Sequence, residues 1–201
     1  MANANKPFGF RPVKHLNGSP YNGQANIYQM PAADSVSGIA VGDMVVLSDQ
    51  AATLGYMAIE RPATGDVASA ALVGPVVGFV VDPAALNSPQ VRLDDTLRYA
   101  LVADSPDLIF EVQEDATTDA NAIAAASVGL MTGFAATAPN VTTTGLSNME
   151  LDSSAVNTTS TLPLQIMGIV DSPDNTIATA HARWLVRINT HAFGWAGLAG
   201  V

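Results

Sequence analysis

The residues able to do chemistry are few and scattered. Three histidines, His15, His181 and His191, are present, and none shares a helix-like spacing with another. They offer no H-E-x-x-H pair and no metal-ligand cluster. There is no cysteine, which removes thiolate zinc sites, iron–sulfur clusters, disulfide scaffolds and cysteine nucleophiles. No glycine-rich phosphate loop, calcium loop, G-x-S-x-G elbow or D-[TS]-G tripeptide occurs. Asp94-Asp95 and Glu114-Asp115 are adjacent acids. Neighbours on a strand point to opposite faces, so neither pair converges as a general acid–base dyad. The pattern points away from an enzyme, and neither a cofactor nor a metal is expected.

Charge carries more information. The 201 residues hold 8 Lys+Arg against 18 Asp+Glu, a formal charge of −10, yet charged residues make up only 13%. Globular proteins average ~25%. Such an acidic chain lacks the basic footprint of a nucleic-acid binder. No apolar run reaches the ~18 residues of a membrane-spanning helix, and the first residues carry no apolar signal core. A surface so poor in charge suits burial against other subunits. The charges are also segregated. Lys6, Arg11 and Lys14 precede any acid, and residues 99–182 carry ten acids with no Lys or Arg. That asymmetry suits electrostatic complementarity between copies or toward a partner.

The elements that must position these residues read as short strands. Asn26–Met30 alternates and stops at Pro31; Met44–Leu47 follows Gly42-Asp43; Val76–Val81 ends at Asp82-Pro83. Leu54–Ile59, Leu97–Val102, Leu108–Gln113, Leu164–Val170 and Trp184–Ile188 complete the set. Their spacing and turn chemistry predict a mainly β fold, a sandwich or barrel. One short helix is expected over Thr118–Ala126, from a capping Thr, an early acid and an alanine run.

Two segments stand apart. Residues 1–23 contain Pro7, Pro12 and Pro20, which disfavour helix and ladder pairing, alongside Phe8, Phe10, Val13, Leu16 and Tyr21. This reads as an extended N-terminal arm that docks on a partner, beside a single β-rich domain over 24–201. The alternative is that it folds back over its own core. In residues 135–162, eleven of 28 are Ser or Thr. This long loop is either a disordered excursion or one ordered by contact with another chain, and Val141, Leu146, Met149, Leu151 and Val156 favour contact. Val102–Asp107 and Ile169–Asp174 each end an apolar run in Asp-Ser-Pro-Asp, a turn in which Asp side chains bond the local backbone.

Several segments resemble head structural proteins of tailed bacteriophages: Lys6–Val13, Leu16–Gly23, Phe110–Asp115, Gly145–Ser153, Ile166–Asn175 and Trp184–His191. The group implied is the capsid decoration, or cement, proteins, similar in role to the head-stabilising trimers whose fold is a small β-tulip. The resemblance implies a non-enzymatic protein, made in the host cytoplasm and located on the virion capsid surface. Its partners would be the major capsid protein and further copies of itself, as a homo-oligomer and most simply a trimer. The arm residues Lys6, Phe8, Phe10, Arg11, Lys14 and Tyr21 are the expected contacts. Other virion parts, such as a shell or tail subunit, and a carbohydrate-binding β domain are the alternatives. The last would show clustered exposed aromatics, for which the sequence offers only Trp184 and Trp195 near its end.

Overall fold

The computed structural model describes residues 3–32, 38–50, 55–63, 65–83, 86–139 and 145–194. The expectations at Leu54, Val141 and Trp195 lie outside these. The chain is mainly β, with a sheet curled into a half barrel. Its strands are β1 (Arg11–His15), β2 (Asn26–Met30), β3 (Ile39–Ala40), β4 (Met44–Leu47), β5 (Ile59–Glu60), β6 (Asp66–Val67), β7 (Leu72–Phe79) and β8 (Val91–Arg92). There follow β9 (Arg98–Val102), β10 (Leu108–Gln113), β11 (Met131–Thr132), β12 (Phe134–Ala135), β13 (Glu150–Leu151), β14 (Leu164–Ile169) and β15 (Arg183–Ile188).

Two five-stranded sheets dominate, ordered β1-β10-β15-β14-β11 and β2-β9-β7-β4-β5. The first is antiparallel throughout, with Phe110 opposite Val186 and Val112 opposite Trp184. Strand β15 alternates: Trp184, Val186 and Ile188 are buried, while Arg183, Leu185 and Arg187 are half-buried on the other face. Period-two burial of this kind is what a one-sided core demands. Leu108, Phe110, Val112, Leu164 and Ile166 complete the inner face, over Phe134, Met149 and Leu151. A second, smaller cluster gathers Tyr28, Met30, Ile39, Val45, Ile59 and Val73 about the second sheet.

The boundary expected at residue 23 does not separate two bodies. Residues 3–10 form no strand, but they are tied to their own chain: Asn3 Nδ2 donates to the carbonyls of Thr176 and Ala180, and the Lys6 N–H donates to Gln113 on β10. Arg11–His15 forms β1, an edge strand on β10. Pro12 is accommodated because the register shifts between Pro12 and Lys14, and prolines are tolerated at edges and bulges. Phe10 is 1% exposed and meets Phe134 edge-on, ring centroids 5.4 Å apart. Of the two readings of this segment, the structure takes the fold-back.

The helical segment also differs in detail. In place of a continuous helix over 118–126 there are two single 3-10 turns, Asp119–Asn121 and Ala125–Ser127. Alanine propensity favours a helix, but nine residues are below the ~12–15 needed without tertiary support. Of this segment only Ile123 is buried. The Ser/Thr-rich stretch, where described, packs in part on its own chain. Met149 and Leu151 are fully buried, and β13 pairs with β12. Asp152 ties down the local backbone, accepting from the Ser154 N–H and hydroxyl at 2.8 and 2.7 Å. The two Asp-Ser-Pro-Asp turns share one geometry. Ser105 donates to Asp107 and Ser172 to Asp174, and the turns close through Leu108 N–H to Ser105 C=O and Asn175 N–H to Ser172 C=O.

Candidate functional site

Two glycines place the N-terminal segment. Gly9 (φ +72°) and Gly42 (φ +96°) cross at backbone contact, with Phe10 N–H donating to Gly42 C=O at 2.8 Å. A Cβ on Gly9 would lie 2.4 Å from the Gly42 carbonyl, and one on Gly42 2.4 Å from the Phe8 carbonyl. Both residues hold left-handed backbone that glycine alone takes without cost. The crossing sends Phe10 inward and leaves Phe8 half-buried at the surface.

Outside the crossing lies an apolar groove of about 290 Å³, walled by Phe8, Pro12, Tyr21, Val77 and Leu146 and floored in part by Phe10. Arg11 forms its rim, its guanidinium 4.5 Å from the centre of the Phe8 ring. Arg11 also reaches Glu111 at 3.6 Å, and Arg183 reaches the same carboxylate at 3.2 Å and Asp174 at 2.6 Å. Glu111 is an acid inside a buried strand, which is tolerable only with such partners. Beside the groove a polar cleft of about 180 Å³ is lined by Lys6, Arg11, His181 and Arg183, among others. The backbone N–H of Lys6 is fixed on Gln113 Oε1 at 3.0 Å, while its side chain is exposed.

Of the six residues expected in the site, Phe8, Phe10, Arg11 and Tyr21 line one groove, and Lys6 joins Arg11 in the adjacent cleft. Lys14 stands apart, half-buried in β1 opposite Ile109. Phe10 serves the core and offers no exposed surface. Tyr21 donates its hydroxyl to Gln24 C=O at 3.0 Å, and burial raises its pKa. Sequence reading did not join Val76, Val77 and Leu146 to this groove, although it gave Leu146 to a contact with another chain, and it missed the Glu111–Arg183–Asp174 chain. The acid in the middle of Leu-Ile-Phe-Glu-Val-Gln was the available signal: a charge in a buried run demands a partner.

The remaining titratable groups do structural work. Glu114 is fully buried and accepts from Ile123 N–H (2.9 Å), Trp184 Nε1 (3.2 Å) and Ala182 N–H (3.4 Å). Burial outweighs these donors and lifts its pKa to about 7. Asp115 turns the other way, to Ser153. Asp43 is also buried; it accepts from Ala40 N–H at 2.9 Å and rises to about 6, again through desolvation. His15 pairs with Asp107 at 3.1 Å. Among the described residues no three His, Asp or Glu gather as a metal site.

Comparison of the chain with protein-family models, with curated proteins and with solved structures finds no match. The functional reading therefore rests on the residues themselves.

Proposed function

We propose that this protein is a capsid cement protein: a non-enzymatic part of a phage virion that binds the outside of the assembled shell and bridges its capsomers. The observation that carries this reading is the likeness of Lys6–Val13 and Leu16–Gly23 to head structural proteins, joined to what those residues build. They form a basic-rimmed apolar groove with exposed Val13 (37%) and Leu16 (44%) on the adjoining hairpin. Large apolar groups kept at a surface, around a groove, suit a partner that covers them.

Magnitudes rank the contacts. A fully buried Phe, Leu or Val contributes ~1.5–3 kcal/mol. An exposed ion pair contributes ~0–1 kcal/mol and is screened beyond roughly 8 Å at physiological salt. Phe8, Leu16 and Leu146 would anchor the contact, and Lys6 and Arg11 would steer it. Self-association, most simply as a trimer, would multiply modest contacts through avidity.

The test is co-sedimentation of the purified protein with shells assembled from the major capsid protein of the source particle, with antibody labelling of the virion by electron microscopy. Saturable binding and labelled heads support the proposal. Labelled tails, or protein that stays in the supernatant, overturn it.

A further inference from the structure

A concavity of about 620 Å³ lies at the outer edge of β2 and shares no lining residue with the N-terminal groove. Its volume falls within the ~300–1,000 Å³ of small-molecule sites. Two exposed aromatic rings line it, Tyr56 (41%) and Phe193 (44%), contributed by segments remote in the chain. Each packs on a neighbouring ring: Tyr56 edge-on to Tyr99 with centroids 5.7 Å apart, and Phe193 tilted against His191 at 5.9 Å. Phe193 is further fixed by its N–H on His191 Nδ1 at 3.0 Å. Exposed rings packed in this way are placed to stack on a ligand.

The polar part is equally fixed. Asp104 accepts from Asn26 Nδ2 at 3.1 and 2.9 Å and from the Tyr28 hydroxyl at 2.6 Å, the Tyr28 ring itself being buried. These donors orient the carboxylate and satisfy part of it, leaving its remaining lone pairs and the Asn26 amide at the surface. Among the described residues no lysine or arginine lines the concavity, so an anion gains nothing from them. An ammonium or guanidinium could pair with the same carboxylate, as Arg183 does with the Ser172-bonded Asp174, and the experiment below includes one as a competing outcome. A neutral pyranose matches both halves: an apolar C–H face for a ring, and vicinal hydroxyls for a carboxylate–amide pair.

We propose that this concavity binds a neutral saccharide, with Tyr56 and Phe193 as stacking platforms and Asp104 and Asn26 as the hydroxyl-reading pair. The trace sought in the sequence was tryptophan. Trp184 is buried in the core, and the aromatic cluster comes instead from Tyr56 and Phe193.

The experiment is saturation-transfer NMR on the free protein with methyl glucopyranoside, galactopyranoside and mannopyranoside and with N-acetylglucosamine. Saturation is expected on the C–H protons of at least one, and titration gives its affinity. Tyr56→Ala and Phe193→Ala should each weaken it about tenfold, a typical loss for a stacking ring, with unchanged melting. Tyr56→Phe should retain binding, and Asp104→Asn should weaken it. Absence of transfer to every sugar overturns the proposal. So does transfer that survives Tyr56→Ala combined with Phe193→Ala, or transfer to arginine methyl ester in place of the sugars. The experiment contains no shell, so its failure leaves the cement reading untouched.

Discussion

The two large sheets expose their first strands very differently. The edge of β1 is closed. Residues 16–21 turn back along it, so His15 N–H donates to Ser19 C=O and Tyr21 N–H to Val13 C=O, both near 2.9 Å. Residues 8–10 then plunge into the first core through the Gly9–Gly42 crossing. The edge of β2 is left partly open. Gln29 N–H points outward to Met57 C=O, so by the alternation of an antiparallel ladder the Ile27 peptide also faces away from β9, toward the concavity. The closed edge is where the chain invests its burial; the open one leaves aromatic and polar groups in reach of solvent. The first edge is thus divided within itself, Phe10 going to the core and Phe8 staying half-buried at the surface, while the second keeps its groups within reach of solvent.

Substitution of Phe10 tests this division most severely. Phe10→Ala removes a buried ring packed on Phe134, and should lower unfolding free energy by ~3–5 kcal/mol. Phe8→Ala, two residues away, should lower it by under ~1 kcal/mol while reducing shell binding. Denaturant titration of both decides. Equal losses would mean that the crossing does not separate core from surface. Removal of residues 1–23 should unfold the chain for the same reason, seen as loss of the β signal in circular dichroism.

The crossing itself gives a smaller pair. Gly9→Ala meets the Gly42 carbonyl and Ser147 as well as an unfavourable φ; Gly18→Ala meets the φ penalty alone, with nothing within 4 Å. The second should cost roughly 1–2 kcal/mol, and the first clearly more. Similar melting temperatures would show that backbone contact at the crossing contributes little.

Protonation sharpens the comparison further. Glu114, beneath the first sheet, rises from 4.5 to about 7, and Asp43, before β4, from 3.8 to about 6. A carboxyl with a raised folded pKa binds its proton more tightly in the native state. Its stabilising contribution is complete below the unfolded pKa and is lost as pH rises through the folded one. Stability should therefore decline between about pH 4.5 and 7. His191, lowered by burial, works the other way: the unfolded state gains protons below 6.5 that the native state resists. Glu114→Gln should flatten the decline, read as melting temperature against pH. A slope unchanged in that variant would remove Glu114 as its source.

How far all this was legible depends on the range of the interaction. Asn26–Met30, Met44–Leu47 and Leu108–Gln113 were readable to the residue: alternation up to Pro31 marks the first, and apolar runs that follow Gly42-Asp43 and Pro106-Asp107 mark the other two. Strand β1 was not, because Pro12 reads as a strand breaker unless a bulge is known to accommodate it. The helical turns after Thr118 were overstated because propensity counts alanines and not the absence of a face to bury. Four groove residues could be picked from their types, but the division between Phe10 in the core and Phe8, Arg11 and Tyr21 around the groove depends on Gly42 and Ser147, which are remote in sequence. Glu111 with Arg183, and Glu114 with Trp184, are separated by 72 and 70 positions. No local pattern pairs them.

The smallest expected effect is that of salt. If Lys6 and Arg11 steer and the apolar groups hold, Lys6→Ala with Arg11→Ala should slow association with shells and weaken binding only modestly. Phe8→Ala with Leu16→Ala should weaken it more and speed release. Arg11 is the informative member, because it stacks on Phe8 while reaching Glu111. Arg11→Lys keeps the charge but loses the planar contact. At high salt, where the Debye length falls to ~3 Å, Arg11→Lys should then bind more weakly than the wild type by a margin similar to that at low salt. A margin that vanishes in salt would assign Arg11 to charge alone, and a collapse of wild-type binding in salt would reverse the ranking of apolar over electrostatic contacts on which the groove's proposed role depends.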